Sequence, residues 1–383
     1  MIARSRKRGF ALTVALVAIV IIGALIVGVF FAATQEFRIG RNTVLQARAL
    51  TAAEYGLNGI VSTGQWNKAW NSTTTVGKVD TTMRYSPGDG SVDTVRVTYL
   101  GNGEFAITSE GRVGTIVGAQ ARKRLGAMVA LNFPVVKLLG ALTTRGSTKI
   151  GGSSFIDGID DSVSGWNCPP LGSSLPGIAI ADSTQITTSG CSNYSCVAGS
   201  PKISQTPLAN NDSTYTQFGG VSFNDLAASA DPSHSYPAGG TYNGMAPSYT
   251  GTTCNTGDPN NWGDPIRSVP ATAYCSSYYP IIYSGGNLSV TGGVGQGMLL
   301  VNGDLSVAGG FQFFGIVIVT GHLKTTGTGG HFTGGVLAQN VDLEQNTVLG
   351  NAVITYSSCA SSYAMKAVAS PILTPGRSWV DLY

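Results

Sequence analysis

The chain is poor in charged side chains and in histidine. Asp, Glu, Lys and Arg make up only 11% of its 383 residues, and there are three histidines. It contains no P-loop, no GxSxG or HExxH motif, and no Cys and His spacing typical of a zinc site. These absences predict a protein that is not an enzyme and has no cofactor. With 43% hydrophobic residues and 52 glycines, the chain is too apolar to be disordered, and its composition favours strands and turns.

The chain is long enough for two or three domains. Its few charged residues are unevenly distributed along it. Residues 1–139 contain 16 Lys and Arg against 7 Asp and Glu, which gives +9. Residues 140–383 contain 7 against 13, which gives −6. The distal part therefore lacks the basic surplus that binding a phosphate backbone requires.

One apolar segment dominates the N-terminus. Residues 10–33 contain no charged side chain, and as a helix they would span about 36 Å, enough to cross a bilayer. The basic residues before this segment predict a cytoplasmic N-terminus and an exported C-terminal bulk. They are Arg4, Arg6, Lys7 and Arg8. A cleaved secretory signal is the alternative, but the apolar run is long for one and Phe31 is too large for its cleavage position.

The helix is predicted to continue beyond the membrane. No proline occurs before Pro87, and an apolar stripe recurs at helical spacing at Leu50, Ala53, Leu57 and Ile60. We therefore predict one helix over residues 10–63, about 80 Å long, whose second half buries its stripe against a sheet.

The residues that join the basic leader to this helix resemble a type III leader of the pilin family. The leader, residues 1–9, ends in Arg8-Gly9, and Gln46 to Asn58 (QARALTAAEYGLN) is similar to the AAE-x-G region of PilX-like minor pilins. The resemblance covers roughly residues 4–63. It implies cleavage after Gly9 by prepilin peptidase, N-methylation of Phe10, and assembly with other pilins through the helix.

The chain departs from major pilins at one position. The family has Glu at the fifth mature position, where its carboxylate neutralises the terminal amine of a neighbouring subunit; this chain has Val14 there. An unpaired charge inside hydrocarbon is costly. Val14 therefore indicates a minor subunit. It fits a position at the tip of a filament, where no subunit lies ahead of it.

Residues 64–135 are predicted to form a pilin-like antiparallel sheet on the helix. The segment contains four strand-like runs, in which apolar and polar residues alternate and which are separated by turn signals such as Gly101-Asn-Gly103. The runs are Lys78–Tyr85, Asp93–Leu100, Glu104–Arg112 and Ala121–Leu131. An unrelated small α+β domain on a membrane anchor is the alternative.

Residues 136–383 are predicted to form a β-solenoid-like head. Gly303, Gly321 and Asn340 recur 18 and 19 residues apart, each after an apolar strand and before a second short strand. A similar frame at 141–158 suggests that the solenoid starts near 141 and resumes near 281, with an insertion at about 160–280. A twisted β-sandwich of short hairpins is the alternative. The predicted fold class is thus α+β, with a long transmembrane helix, an antiparallel sheet and a solenoid-like domain.

All six cysteines lie in this distal part, and their even number predicts disulfides in an exported segment. Cys191 and Cys196 lie five residues apart, and Cys254 and Cys275 lie 21 apart, so both are plausible local pairs. Cys168 and Cys359 are left as the third pair, although six cysteines allow 15 pairings. Staples of this kind would order an insertion of low apolar content.

Two acidic groups could be read as calcium ligands or catalytic carboxylates. One is Asp157, Asp160 and Asp161, and the other is Asp258 with Asn260 and Asp264. We interpret the first as a polar corner of the solenoid, and the second lacks the terminal Glu of an EF-hand loop. Surface or corner positions are also expected for His322 and His331. Trp262 and the aromatic runs at 274–279 and 311–314 are expected to pack inside the head, and the alternative is that exposed aromatic residues stack on sugars or single-stranded bases.

The sequence thus predicts a minor pilin-like subunit of a type IV pilus or a related secretion filament, with an adhesive head. It would cross the inner membrane once and then enter a filament outside that membrane. The head's ligand would be a surface glycan or DNA. The alternatives are a DNA-uptake minor pilin and a surface-anchored glycan-active β-helix enzyme.

Overall fold

The computed structural model describes residues 10–62, 66–67, 70–71, 73, 75–85, 91–114, 119–267, 274–339, 346–348, 351–374 and 380–381. The predicted leader, with Gly9, lies outside this set. The fold is α+β, with one long apolar helix and a body made mostly of sheet. The chain divides into two compact units: unit 1 is residues 1–66, 74–130 and 372–383, and unit 2 is residues 67–73 and 131–371.

Unit 1 consists of helix α1 and an antiparallel sheet. Strands β1 to β4 follow one another as a meander, as predicted from the turn signals. The last residues of the chain return to this sheet, because β26 and β27 both pair with β4. The predicted assignment of everything after residue 135 to the head is therefore corrected at the C-terminus. The elements are α1 (Phe10–Ser62), β1 (Val79–Tyr85), β2 (Ser91–Gly101), β3 (Glu104–Gly114), β4 (Ala119–Asn132), β26 (Ser370–Leu373) and β27 (Val380–Asp381).

The second half of α1 packs on β2 and β3 through small side chains. Ala53, Leu57 and Ile60 are fully buried, as the stripe predicted, but Ala49 and Ala52 are buried as well and Leu50 is only half-buried. The backbones come close here. A Cβ atom at position 111 would lie 1.9 Å from the carbonyl oxygen of Ala49, so Gly111 is required in β3.

Unit 2 contains a stack of short parallel strands, which we call the parallel body. Its strands are β5 (Leu142–Thr144), β6 (Thr148–Gly151), β7 (Phe155–Asp157), β8 (Ile178–Ile180), β9 (Ile186–Ser189), β10 (Val197–Ala198), β11 (Ile203–Gln205), β14 (Ser235–Tyr236), β15 (Gly240–Met245), β18 (Ile281–Ser284), β19 (Leu288–Val301), β20 (Leu305–Ala308), β21 (Phe311–Val319), β22 (Leu323–Thr325), β23 (Gly330–Ala338), β24 (Asn346–Val348) and β25 (Val353–Tyr356).

The remaining elements of unit 2 are short. They are α2 (Ser213–Thr216), α3 (Phe223–Ala228), α4 (Ser358–Ala367), the hairpin β12 (Gln217–Phe218) with β13 (Val221–Ser222), and the hairpin β16 (Tyr249–Thr250) with β17 (Thr253–Cys254). Among the described residues, 3-10 turns lie at Ser183–Gln185, Ser192–Tyr194, Pro207–Asn210 and Pro232–His234.

Successive coils of the parallel body stack in register. Leu305 pairs with Leu288 of the preceding coil and with Leu323 of the next. These coils therefore advance the chain by 17 and 18 residues, close to the predicted repeat of 18 and 19 residues. Inward side chains of all coils form one continuous core, which includes Val307, Phe311, Val317 and Leu323.

The chain enters this stack in its middle. Strands β5 and β6 lie between β23 and β24 of the last coil and β8 and β9 of the next. The same level of the stack is completed by β25, which pairs with β23 on one side and β7 on the other. One coil is thus built from two chain segments about 200 residues apart, and we call it the seam.

The predicted insertion at 160–280 is smaller than expected. Strands β8 to β11 continue the stack to one end, and β14 and β15 begin it again at the other end before β18. The longest described stretches of this segment without a strand of the stack are residues 206–234 and 246–267. These coils were not recognised in the sequence, because strands of two to six residues within Ser- and Thr-rich segments give little periodicity.

On one side of the parallel body, the strands carry apolar side chains both toward the inner core and on their outer surface. Outward side chains of β18, β19, β21 and β23 are covered by α4 and by the segment that contains α2 and α3. This explains the near-continuous apolar runs such as Gly315-Ile-Val-Ile-Val319, because a parallel strand covered on both faces has no polar side. The outer cluster includes Tyr215, Phe218, Phe223, Leu226, Met298, Ile316, Ile318 and Ala364.

A ladder of glycines crosses the long strands β19, β21 and β23. Gly297, Gly315 and Gly334 pair with one another across β19, β21 and β23, and all have positive φ, at 107°, 138° and 135°. A Cβ atom on Gly315 would lie 2.0 Å from the carbonyl oxygen of Gly297. At this position a side chain is excluded by both backbone conformation and space.

We expect Gly315→Ala to destabilise unit 2 by more than about 3 kcal/mol, since strain at positive φ adds to a backbone clash. Gly251→Ala is the matched control, because Gly251 also has positive φ, at 61°, but a Cβ there has no atom within 4 Å. Denaturant unfolding of the two variants separates the cost of strain at positive φ from the cost of the clash with the neighbouring backbone. An equal loss of unfolding free energy in the two variants would contradict the steric role of the ladder.

Candidate functional site

The first half of α1 is an exposed apolar surface. Phe10, the first described residue, is 82% exposed, and Val14 is 51% exposed with no acidic residue in the first turn. Among the described residues, this is the one helix long and apolar enough to cross a membrane. The finding is compatible with a membrane anchor.

Apolar exposure continues past residue 33. Phe37, Ile39 and Val44 are 74%, 63% and 54% exposed, although the uncharged run has ended. The helix between the membrane-length segment and the sheet of unit 1 therefore still offers large apolar side chains. A contiguous apolar surface of this kind is typical of packing against another protein surface.

Three disulfides join the six cysteines. They connect Cys168 with Cys359, Cys191 with Cys196, and Cys254 with Cys275. The last two are the local pairs predicted from spacing, and the first is the pair that was left by elimination. The first joins residues 191 apart in sequence and links the segment after β7 to α4, next to the seam. An aromatic cluster of Trp166, Tyr279 and Tyr363 packs beside it.

Asp160 anchors α4. It is 5% exposed, and its carboxylate accepts hydrogen bonds from the backbone N–H of Ser358 at 2.7 Å, the hydroxyl of Ser358 at 2.6 Å and the N–H of Gly172 at 2.5 Å. A carboxylate is favourable at a helix N-terminus, where N–H groups lack partners.

The neighbouring acids point to different partners. Asp157 accepts from the N–H of Ile159 at 2.8 Å, and Asp161 from the N–H of Ser162 at 2.8 Å, so each closes its own turn. Asp258 likewise accepts from the N–H of Asn260 at 3.0 Å. In the described part of the chain, no three His, Cys, Asp or Glu residues are grouped as metal ligands would be.

The aromatic residues singled out from sequence mostly pack inside unit 2. Trp262 is fully buried, and its indole N–H donates to the carbonyl oxygen of Pro259 at 3.1 Å. Phe311 and Phe313 lie in the core of the stack, while Phe314 packs against Trp166. Tyr249 is 48% exposed and contacts Tyr274 at 5.3 Å between ring centroids.

Sequence reasoning missed the partner of His322. Its Nδ1 lies 2.9 Å from the carboxylate of Asp304, which also accepts the backbone N–H of His322 at 2.8 Å. The two residues occupy the same corner in successive coils, 18 positions apart. The repeat of Gly303-Asp304 and Gly321-His322 was the available signal.

His234 is buried without a charged contact closer than 4.0 Å. Its Nε2 lies 2.8 Å from the carbonyl oxygen of Asn261; because a carbonyl only accepts, Nε2 carries the hydrogen. Burial lowers the pKa of His234 below its usual value, although the bond to Asn261 and the charges of Asp231 and Asp258 act in the opposite direction.

Comparison with known proteins assigns no family. No family model and no curated protein matches the chain. Among solved structures, the competence-associated pilin ComZ from Thermus thermophilus is similar over 88% of this chain and 96% of that chain, at 11% identity and a TM-score of 0.24. A likeness with so low a TM-score carries no argument here. The resemblance to PilX-like minor pilins stays an expectation from the sequence.

We expect the double variant Cys168→Ser with Cys359→Ser to lose more stability than Cys191→Ser with Cys196→Ser. Loop closure gives about 5 kcal/mol for a separation of 191 residues and about 2 kcal/mol for a separation of five. Denaturant unfolding under non-reducing conditions measures both. A smaller loss for the long-range pair would contradict its role in closing the stack.

We expect the stability of unit 2 to fall as pH drops below about 6.5, because the unfolded chain protonates His234 there while the folded chain resists. His234→Gln should flatten this pH dependence even if it lowers stability at pH 7. His331→Gln, at a histidine that bonds Asn351 on the surface, should retain it. Unfolding titrations between about pH 7.5 and 5 measure the free energy of unfolding of each variant. If its slope against pH is unchanged in His234→Gln, His234 is not the cause of the pH dependence.

Proposed function

We propose that the chain is a minor pilin-like subunit of a type IV pilus or a related secretion filament, located at or near the tip. In this proposal prepilin peptidase removes residues 1–9, and Phe10 becomes the N-methylated first residue. The protein crosses the inner membrane once, with its N-terminus in the cytoplasm, before it assembles with other pilins outside.

The observation that carries the proposal is the division of α1. Its 53 residues form one helix, of which the first half is apolar and exposed and the second half is buried on an antiparallel sheet. A soluble protein would not leave so large an apolar surface exposed. A helix that first sits in a bilayer and then packs against neighbouring helices accounts for both halves, and for the exposed Phe37 and Ile39 between them.

Val14 supports a minor role. A valine five residues into the mature chain cannot neutralise the amine of a neighbouring subunit, as the glutamate of major pilins does. A subunit without a subunit ahead of it has no such amine to meet. The exposed apolar side chain of Val14 instead suits the hydrocarbon or a helix bundle.

We propose that the parallel body is a β-solenoid head that binds a surface ligand. Disulfides and an apolar cover on one side make it a rigid support outside the cell. A binding role is favoured over catalysis, because the acids considered as catalytic groups, Asp157, Asp160 and Asp161, hold backbone N–H groups. A glycan is the ligand class proposed for the head, and DNA is the alternative.

Expression of the full chain together with prepilin peptidase tests the processing step. We expect mass spectrometry to find a mature protein that starts at a methylated Phe10. Gly9→Val should retain residues 1–9, since the peptidase requires a small residue there. Gly23→Val, at a helix glycine with no atom near its Cβ position, is the control and should be processed normally. An intact leader in the unaltered chain, or a different first residue, would refute the proposal.

A further inference from the structure

Four arginines lie on one face of the antiparallel sheet of unit 1. Val95, Val97 and Ile107 are buried toward α1, so alternate residues of β2 and β3 point away from the helix. Register places the arginines together on that outer side, with Arg112 opposite Arg122. We call this surface the arginine face; it comprises Arg96, Glu110, Arg112, Arg122 and Arg124.

Glu110 holds three of these arginines. Its carboxylate lies 2.5 Å from Arg112, 3.0 Å from Arg122 and 2.5 Å from Arg124, and its side chain is only 9% exposed. Burial by itself raises the pKa of Glu110, but the hydrogen bonds from Arg124 and Arg112 and the charges of Arg112 and Arg122 outweigh it. The pKa therefore lies below its usual value, and the carboxylate is ionised at neutral pH.

The arginines are ordered and still accessible. The side chains of Arg122 and Arg124 are 55% and 40% exposed, and that of Arg112 is 21% exposed. Each guanidinium has five N–H donors, and one carboxylate shared among three of them leaves most donors without a bond to Glu110. Arginines fixed in place before binding lose less entropy when a partner arrives, which favours recognition over mere solubility.

The distance of the arginine face from the apolar run of α1 argues against a lipid partner. Gly111, between Glu110 and Arg112, lies against Ala49, sixteen residues beyond the end of the apolar run at Ala33. That distance is about 24 Å along the helix. Surface charge on a bilayer is screened within about 10 Å at ordinary salt, so headgroups are out of reach.

The arrangement also fits carboxylates better than a nucleic-acid strand. The three arginines around Glu110 occupy two neighbouring strands, which lie about 4.8 Å apart, so the charge forms a compact patch and not an extended track. A phosphate backbone crossing its centre would also pass Glu110. We propose that the arginine face docks a carboxylate-rich protein surface. The inference rests on unit 1 alone and does not depend on the proposed filament.

Binding of full-length protein in neutral detergent to poly-L-glutamate tests this directly. We expect binding at about 0.05 M salt that is lost at about 0.5 M. Arg122→Gln with Arg124→Gln should weaken it at least tenfold, while the pair of Arg112 with Glu110 is kept. Lys149→Gln with Lys324→Gln removes the same charge from unit 2 and should leave binding within about twofold of the unaltered chain.

Three results would overturn the proposal. One is the absence of binding to poly-L-glutamate at low salt while thermal unfolding shows a folded protein. Another is an equal loss in the arginine and lysine variants, which would indicate net charge only. The third is tighter, arginine-dependent binding to duplex DNA or to phosphatidylglycerol vesicles than to poly-L-glutamate. None of these results bears on cleavage after Gly9, so failure here and failure of the proposed processing are distinguishable.

Discussion

The parallel pairing of β5 with β23 is the constraint on which unit 2 depends. It joins the strand that enters the stack to a strand made almost 200 residues later, and β25 completes the same level from the chain's end. Until residues 330–356 are in place, the coils that begin at Leu142 have no neighbour on one side. Parallel strands do not persist alone in water, because their unpaired N–H and C=O groups and their apolar face need the next coil.

Several other features of unit 2 lie around this seam. The disulfide from Cys168 to Cys359 and the carboxylate of Asp160 both attach α4 near the point where the chain leaves the stack. Gly315 lets α4 come close, because a Cβ atom at that position would lie 3.2 Å from the Cβ of Ala364. The covalent link is thus placed where chain entropy most opposes closure, between segments that are far apart in sequence.

Unit 1 is organised by a different requirement. Small residues on α1 and Gly111 in β3 let helix and sheet backbones approach, and this leaves the outer side of the sheet for polar groups. That side has become strongly basic, with Glu110 ordering its arginines, whereas the distal part of the chain is acidic overall. In the proposed subunit, the apolar helix would contact the membrane and neighbouring helices, and the basic sheet and the disulfide-bonded body would each make contacts of their own.

Local features were determined by the sequence itself. The long helix, the four strands of its sheet, the coil length near 18 and the two short-range disulfides all follow from patterns within a few tens of residues, where periodicity and turn chemistry act. The pairing of Cys168 with Cys359 followed only by elimination. What the tertiary structure alone decided is the order of the coils, the membership of β8 to β11 and of β14 and β15 in the stack, and the role of Asp160 as a helix anchor. These depend on parallel pairing and hydrogen bonds between residues far apart in the chain, and such contacts leave no local period to read.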